Sequence, residues 1–179
     1  MQWTDRIRQV KIILVVAAIA IAVVSLVASN ILTKDLARQE RTKMEVWAEA
    51  MRALSQADEN TDLALVLKVL NDNNTIPVVV LDNDGNVTDF RNVAINAKNY
   101  KDSLLYVSAM GKRLKANKQD IRIQLSDASN EYIDVCYDDS LMLKRLAFYP
   151  YVQLGVVMLF VVVAIFALLT SKRAEQNKV

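Results

Sequence analysis

Two long apolar runs enclose a polar middle, and that layout restricts this chain more than any other feature. The first run, KIILVVAAIAIAVVSLVASNIL, covers residues 11–32 and carries no charge after Lys11. The second, VQLGVVMLFVVVAIFALLT, covers residues 152–170 and is interrupted only by Gln153. A helix needs about 20 apolar residues to cross a hydrocarbon core roughly 30 Å thick. Both runs reach that length, so each reads as a transmembrane helix, over residues 12–32 and 149–170. The chain then divides into a tail of residues 1–11, the first span, a polar domain over 33–148, the second span, and a tail of 171–179.

Charge gives this layout a direction. The net charge of +2 is uneven: Arg6, Arg8, Lys11, Lys172, Arg173 and Lys178 are opposed in the tails only by Asp5 and Glu175. The tails therefore carry +4 and the middle −2. Basic residues beside membrane spans stay on the cytoplasmic side, so both tails are expected in the cytoplasm and the middle outside. Trp3 near one interface, and Phe148, Tyr149 and Tyr151 at the other, suit the aromatic belts of a bilayer. The first run also resembles a secretory signal, with Val27-Ala28-Ser29 as a cleavage site behind a basic start. Its apolar stretch exceeds the usual ~7–15 residues of a signal core, and the sequence continues in helical period, which favours an uncleaved anchor.

Small residues at Ala18, Ala22, Ser25 and Ser29 make a stripe in the first span, extended by Leu32 and Leu36 and resumed at Trp47, Met51 and Leu54. Such a stripe allows close helix–helix approach and points to homodimerisation along the first helix, although alanine is common in spans generally. Asp62 or Thr61 is placed to cap a second helix, whose apolar face would be Leu63, Val66, Leu67 and Leu70. The run over 76–81, the turn Asn83-Asp84-Gly85-Asn86 and the run over 87–90 predict a β-hairpin. A helix over 100–116 follows, with Leu104, Leu105, Val107 and Leu114 for packing. Residues 121–125 alternate as a half-buried strand; 127–130 turn the chain into a strand over 131–137. A short amphipathic helix over 140–148 leads into the second span, with Pro150 at the membrane surface. The expected fold class is α+β: two transmembrane helices flanking an extracytoplasmic domain with a small antiparallel sheet backed by helices.

No catalytic constellation is present. Histidine is absent and there are only three glycines, which excludes histidine-based triads and a glycine-rich phosphate loop. Asp82, Asp84 and Asp89 resemble part of a calcium loop, but the closing Glu is missing, so a solvated turn is favoured and no metal site is expected. Cys136, the one cysteine, cannot form an internal disulfide and reads as a small buried strand residue, with a redox or intermolecular role as the alternative. Asn73-Asn74-Thr75 and Asn86-Val87-Thr88 match the glycosylation pattern, which has no meaning in a bacterial chain. The basic residues over 112–118 lack the interleaved aromatics of a nucleic-acid site and suit lipid headgroups or a polar helix face. Asp134, Asp138 and Asp139 form an acidic cluster at the end of the last strand, set to face Arg91 or Arg122, or the basic stretch Lys112-Arg113-Leu114-Lys115. Arg91, Tyr132, Asp134 and Tyr137 are candidates for a pocket holding a small polar ligand, with solvated strand faces or ordinary surface ion pairs the favoured reading of the same residues.

The blocks KMEVWAEAMR (43–52), NNTIPVVVLDNDGNV (73–87), YDDSLMLKRLAFYPYVQLGVV (137–157) and TSKRAEQNKV (170–179) resemble the N-terminal sensory half of bacterial membrane-bound sensor histidine kinases of two-component systems. The resemblance implies a PAS- or Cache-like domain in the periplasm, spans in the bacterial inner membrane, and a second span that drives a cytoplasmic kinase. It implies that Asp139 and Ser140 form the strand-to-helix junction that couples sensing to the membrane, with Pro150 limiting how helical movement passes on. A phospho-acceptor histidine, an ATP site and a glycine-rich lid have no counterpart in these residues. The chain is thus expected to be a fragment or degenerate relative that is not itself an enzyme. ATP and magnesium would belong to a kinase core beginning after Val179, which would also contact the response regulator. Outside, the partner would be a small polar ligand or an envelope protein. The alternative is a two-span envelope scaffold without signalling output, marked by an exposed apolar patch; a membrane enzyme has no supporting residue.

Overall fold

The structure, a computed structural model, describes residues 2–96, 99–126 and 130–176. The expected turn over 127–130 falls largely outside these residues, as do the side chains of Trp3, Arg8 and the basic residues over 171–179. The described chain is α+β, with four helices and a four-stranded antiparallel sheet. It forms two compact units, one of residues 1–34 and 145–179, the other of residues 35–144.

The 35–144 unit contains the end of α1 (Gln2–Ser55), α2 (Ala64–Asp72), β1 (Val78–Leu81), β2 (Val87–Arg91), α3 (Tyr100–Ala116), β3 (Asp120–Gln124), β4 (Tyr132–Tyr137) and the start of α4 (Leu141–Gln176). The sheet order is β2-β1-β4-β3. Both expected hairpins form, and β1 and β4 join them, with Val78 opposite Tyr137 and Leu81 opposite Asp134. The continuous apolar run of β1 takes a central place buried on both faces, whereas β3 alternates along an edge, as their patterns require. One face, with Val78, Val80, Ile133 and Val135, packs on Met44 and Trp47 of α1 and Leu70 of α2. The other, with Val79, Leu81 and Cys136, packs on Val107, Met110 and Leu114 of α3. Gly111 lets α3 approach β1 closely: a Cβ there would lie 3.0 Å from Val79 Cγ1 and 3.2 Å from Leu81 Cδ2.

Several local expectations need correction. On α2, Leu67 is 45 % exposed, and Val69 joins Val66 and Leu70 against the core instead, because the sheet meets a face rotated from the one the period suggested. Asp62 does accept the Ala64 N–H at 2.9 Å, but the N-cap position is Leu63, without a side-chain cap bond. On α3, Leu105 is 69 % exposed, while Met110 and Gly111 are buried. Asp82 closes the hairpin turn by accepting the N–H groups of Asp84 at 3.0 Å and Asn86 at 2.8 Å. Gly85 supplies the positive φ of +80°. Cys136 is fully buried, and burial pushes its thiol up to about 12, so it packs as a neutral apolar group.

Two helices, over Gln9–Ser55 and Leu141–Ala167, are long and apolar enough to cross a membrane, and their apolar runs over 11–32 and 152–170 fall in the other unit. Their apolar windows are not buried within the protein, unlike the core helix of a soluble fold. The short helix expected over 140–148 is the first part of α4, which runs unbroken from Leu141 to Gln176 with Pro150 inside it. Proline leaves only the carbonyl one turn earlier without its helical donor, a defect that long apolar helices tolerate. Over residues 9–34 only Ala22, Leu26, Ser29 and Thr33 are half-buried, and over 145–167 only Leu146, Pro150, Gln153 and Val157. The small-residue stripe is therefore shifted from its expected line: Ala22 and Ser29 belong to it, whereas Ala18, Ser25 and Leu32 lie outside the half-buried row.

Candidate functional site

The four residues expected to share a ligand pocket lie on two faces of the sheet. Arg91 and Tyr137 both stand opposite Val78, on the side of α1 and α2. Tyr132 and Asp134, at even spacing from Cys136 along β4, belong to the α3 side. A strand alternates its side chains, so no single pocket gathers all four, and that expectation is corrected. Arg91 instead ties down the C-terminal end of α2, donating from Nη1 to the Leu70 carbonyl at 2.9 Å and to Asn71 Oδ1 at 3.2 Å.

Asp134 is fully buried and fully engaged. Arg122, its cross-strand neighbour, grips it through Nε at 2.8 Å and Nη2 at 3.1 Å, and Lys115 of α3 reaches Oδ2 at 2.6 Å. Burial pushes the carboxyl pKa up, but the bonds from Arg122 and Lys115 outweigh it and leave it below the usual range. The Arg122 guanidinium also lies 3.9 Å from the centroid of the Tyr132 ring. Arg122, Gln124, Asn130 and Tyr132 line an open cleft of about 430 Å³. Asp134 serves this corner as a structural counter-ion, because both its oxygens are taken.

The other expected positions, Asp139 and Ser140, fall between the end of β4 and the start of α4, and here the structure concentrates its long-range polar contacts. Ser140 caps α4: its Oγ accepts the Leu143 N–H at 3.2 Å, the bond that satisfies a helix's free donors. The same hydroxyl donates to Glu40 Oε1, and the Ser140 N–H donates to Glu40 Oε2 at 3.1 Å. A capping box normally takes its carboxylate from the same helix, three residues on. Here α1 supplies it, 100 residues away in sequence. Glu40 is only 5 % exposed, and a carboxylate at a helix N-terminus also meets the positive end of the helix dipole.

Neighbouring residues hold the junction on both sides. Arg41 Nη1 donates to Tyr137 Oη and to the Asp120 carbonyl, each at 3.2 Å, with its guanidinium 5.7 Å from the Tyr137 ring centroid. Asp138 binds Lys144 Nζ at 2.7 Å and lies 3.8 Å from Arg113 of α3, while its N–H donates to the Pro77 carbonyl at 2.9 Å. The Asp139 carboxylate accepts from the Gln119 amide at 3.4 Å, and the Asp139 N–H donates to Asp138 Oδ1 at 2.9 Å. Burial, then the charges of Asp138 and Glu40, raise its pKa above the usual carboxylate range. The arrangement joins β4, α3 and α1 at the first turn of α4. Pro150 lies within α4, half-buried in the other unit.

Arg122 and Lys115, two of the basic residues that the sequence set against the acidic cluster, do bind Asp134; sequence reasoning missed Glu40 and Arg41 as members of these sites. For Arg122 a signal existed, since its strand alternates and a basic residue faces an acidic strand partner. For Glu40 none did, because its cap lies in a distant element. Compared with known protein families, curated proteins and solved structures, the chain matches none.

Proposed function

We propose that this chain is the input and membrane part of a transmembrane sensor, in which residues 35–144 receive a stimulus outside the cytoplasm and α4 carries it to a histidine kinase core inside. The observation that carries this reading is the Glu40–Ser140 cap. A central strand runs within three residues into a helix long and apolar enough to cross a membrane, and the first turn of that helix is bonded to α1. A stimulus that displaces β4 against α1 must strain or break this cap, and only such differential contact shifts a two-state equilibrium. Supporting it are the two membrane-length helices and the basic tails, which favour a cytoplasmic location for both ends. We read the four-stranded sheet between helices as a truncated PAS- or Cache-like domain in the periplasm, with the spans in the bacterial inner membrane.

The test is a chimera of this chain with a sensor kinase core, scored by autophosphorylation in membranes. Glu40→Gln and Ser140→Ala are expected to change kinase output severalfold in the same direction, with membrane insertion unaltered. Output equal to the unsubstituted chimera for both variants would reject the coupling role. One observation favours the scaffold alternative: Leu104, Leu105 and Val87 line an open cleft of about 480 Å³ beside α3, apolar surface suited to a protein partner. A scaffold would lose partner capture on Leu105→Glu while kinase output stayed indifferent to Glu40.

A further inference from the structure

We infer that Gln153 fixes the register of the two apolar helices within one chain, so that the small-residue face of α1 is occupied by α4 of the same molecule rather than by a second copy. Gln153 is the one amide in the second apolar run, and both ends of that amide are used. Ser25 Oγ donates to Gln153 Oε1 at 3.2 Å, and Gln153 Nε2 donates to the Ala22 carbonyl at 3.5 Å. In hydrocarbon no water competes for these groups, so an amide that leaves its partners stays unsatisfied.

The apolar surroundings agree. The half-buried rows, 22-26-29-33 and 146-150-153-157, each step by four, three and four residues. That is the seam spacing of two helices packed at a shallow angle. Ser25, Ala28, Ser29 and Leu32 share a cleft of about 360 Å³ with Tyr149, Val152 and Gln153, so the residues beside the bond already face one another. Sliding α4 by one turn, or rotating it by one residue, would carry the amide away from Ser25 and Ala22 and place an apolar side chain there. The bond therefore selects one register from several that apolar packing alone would accept. The inference requires the helices to lie in a bilayer and does not depend on signalling.

The experiment uses the full chain in lipid nanodiscs with cysteines at Ser29 and Val152, which line the same cleft, under mild oxidation; Cys136 is buried and inert. An intramolecular disulfide is expected. Gln153→Met, which keeps side-chain length, is expected to slow its formation about threefold, in keeping with the modest worth of hydrogen bonds between membrane helices. Ser25→Ala should slow it too, and the double variant should be no slower than Gln153→Met alone. A disulfide formed between chains would overturn the inference and restore α1 self-association. Independent, multiplying effects of the two substitutions, or no effect of either, would also overturn it, since the amide would then not set the register. Gln153→Asn, which shortens the amide's reach, serves as a second variant if Gln153→Met fails to insert, and the same threefold slowing is expected of it.

Discussion

At the scale of single residues, two carboxylates, Asp139 at the junction and Asp134 in the Arg122–Lys115 corner, have pKa values shifted in opposite directions. Asp139 has its pKa raised by burial and by the charges of Asp138 and Glu40. Its contribution to stability is therefore fully present below the ordinary value of 3.8 and lost as pH rises through the raised value. Asp134 has its pKa lowered on balance, so its contribution is present above 3.8 and lost as pH falls through the depressed value. Unfolding midpoints measured against pH should pass through a maximum on the acid side of neutrality and fall steeply below 3.8. Asp139→Asn should raise stability at pH 7 and remove the gain on mild acidification; a flat difference between variant and parent across this range would refute the assignment. Legibility in the sequence was local at this scale. A strand over 131–137 and a helix from 140 were readable from local pattern, while the choice of Asp139 and Ser140 as the coupling junction came from the family resemblance. Glu40 was not readable, because nothing in its neighbourhood signals a helix cap 100 residues on.

Among elements, the hairpins, the strand boundaries and the helix over Tyr100–Ala116 were readable, since period and turn chemistry are short-range signals. Orientation was less so. Leu67 and Leu105 were expected inside and are exposed, because the third dimension decides which of two adjacent apolar residues meets the sheet. Pro150 was expected at the membrane surface, and the helix continues through it. Two substitutions test the element contacts. Gly111→Val should destabilise the 35–144 unit by about 1–3 kcal/mol, the cost of overpacking a close approach, and should speed alkylation of Cys136 as the core opens. Unaltered Cys136 protection would mean that α3 does not need the glycine. Pro150→Ala restores the missing helical hydrogen bond and should change the output of the kinase chimera without altering the thermal midpoint of the 35–144 unit. Unchanged output would remove Pro150 from the coupling path.

For the whole molecule, the layout of two apolar runs around a polar middle was the most legible feature, because twenty consecutive apolar residues have few other uses. Alternation along the strand expected over 131–137 already separates Tyr137 from Tyr132 and Asp134; only the face of Arg91 depends on which strands become neighbours. The proposed function requires the 35–144 unit and the two tails to lie on opposite sides of one membrane. Cys136 is buried with its thiol pushed up to about 12, so introduced cysteines can be read individually. The decisive measurement is labelling of Lys101→Cys and Lys178→Cys variants in intact cells with a membrane-impermeant thiol reagent. Position 101 should label in intact cells and position 178 only after permeabilisation. Labelling of both positions under the same condition would place the unit and the tail on one side, and no transmembrane signal could then pass through this chain.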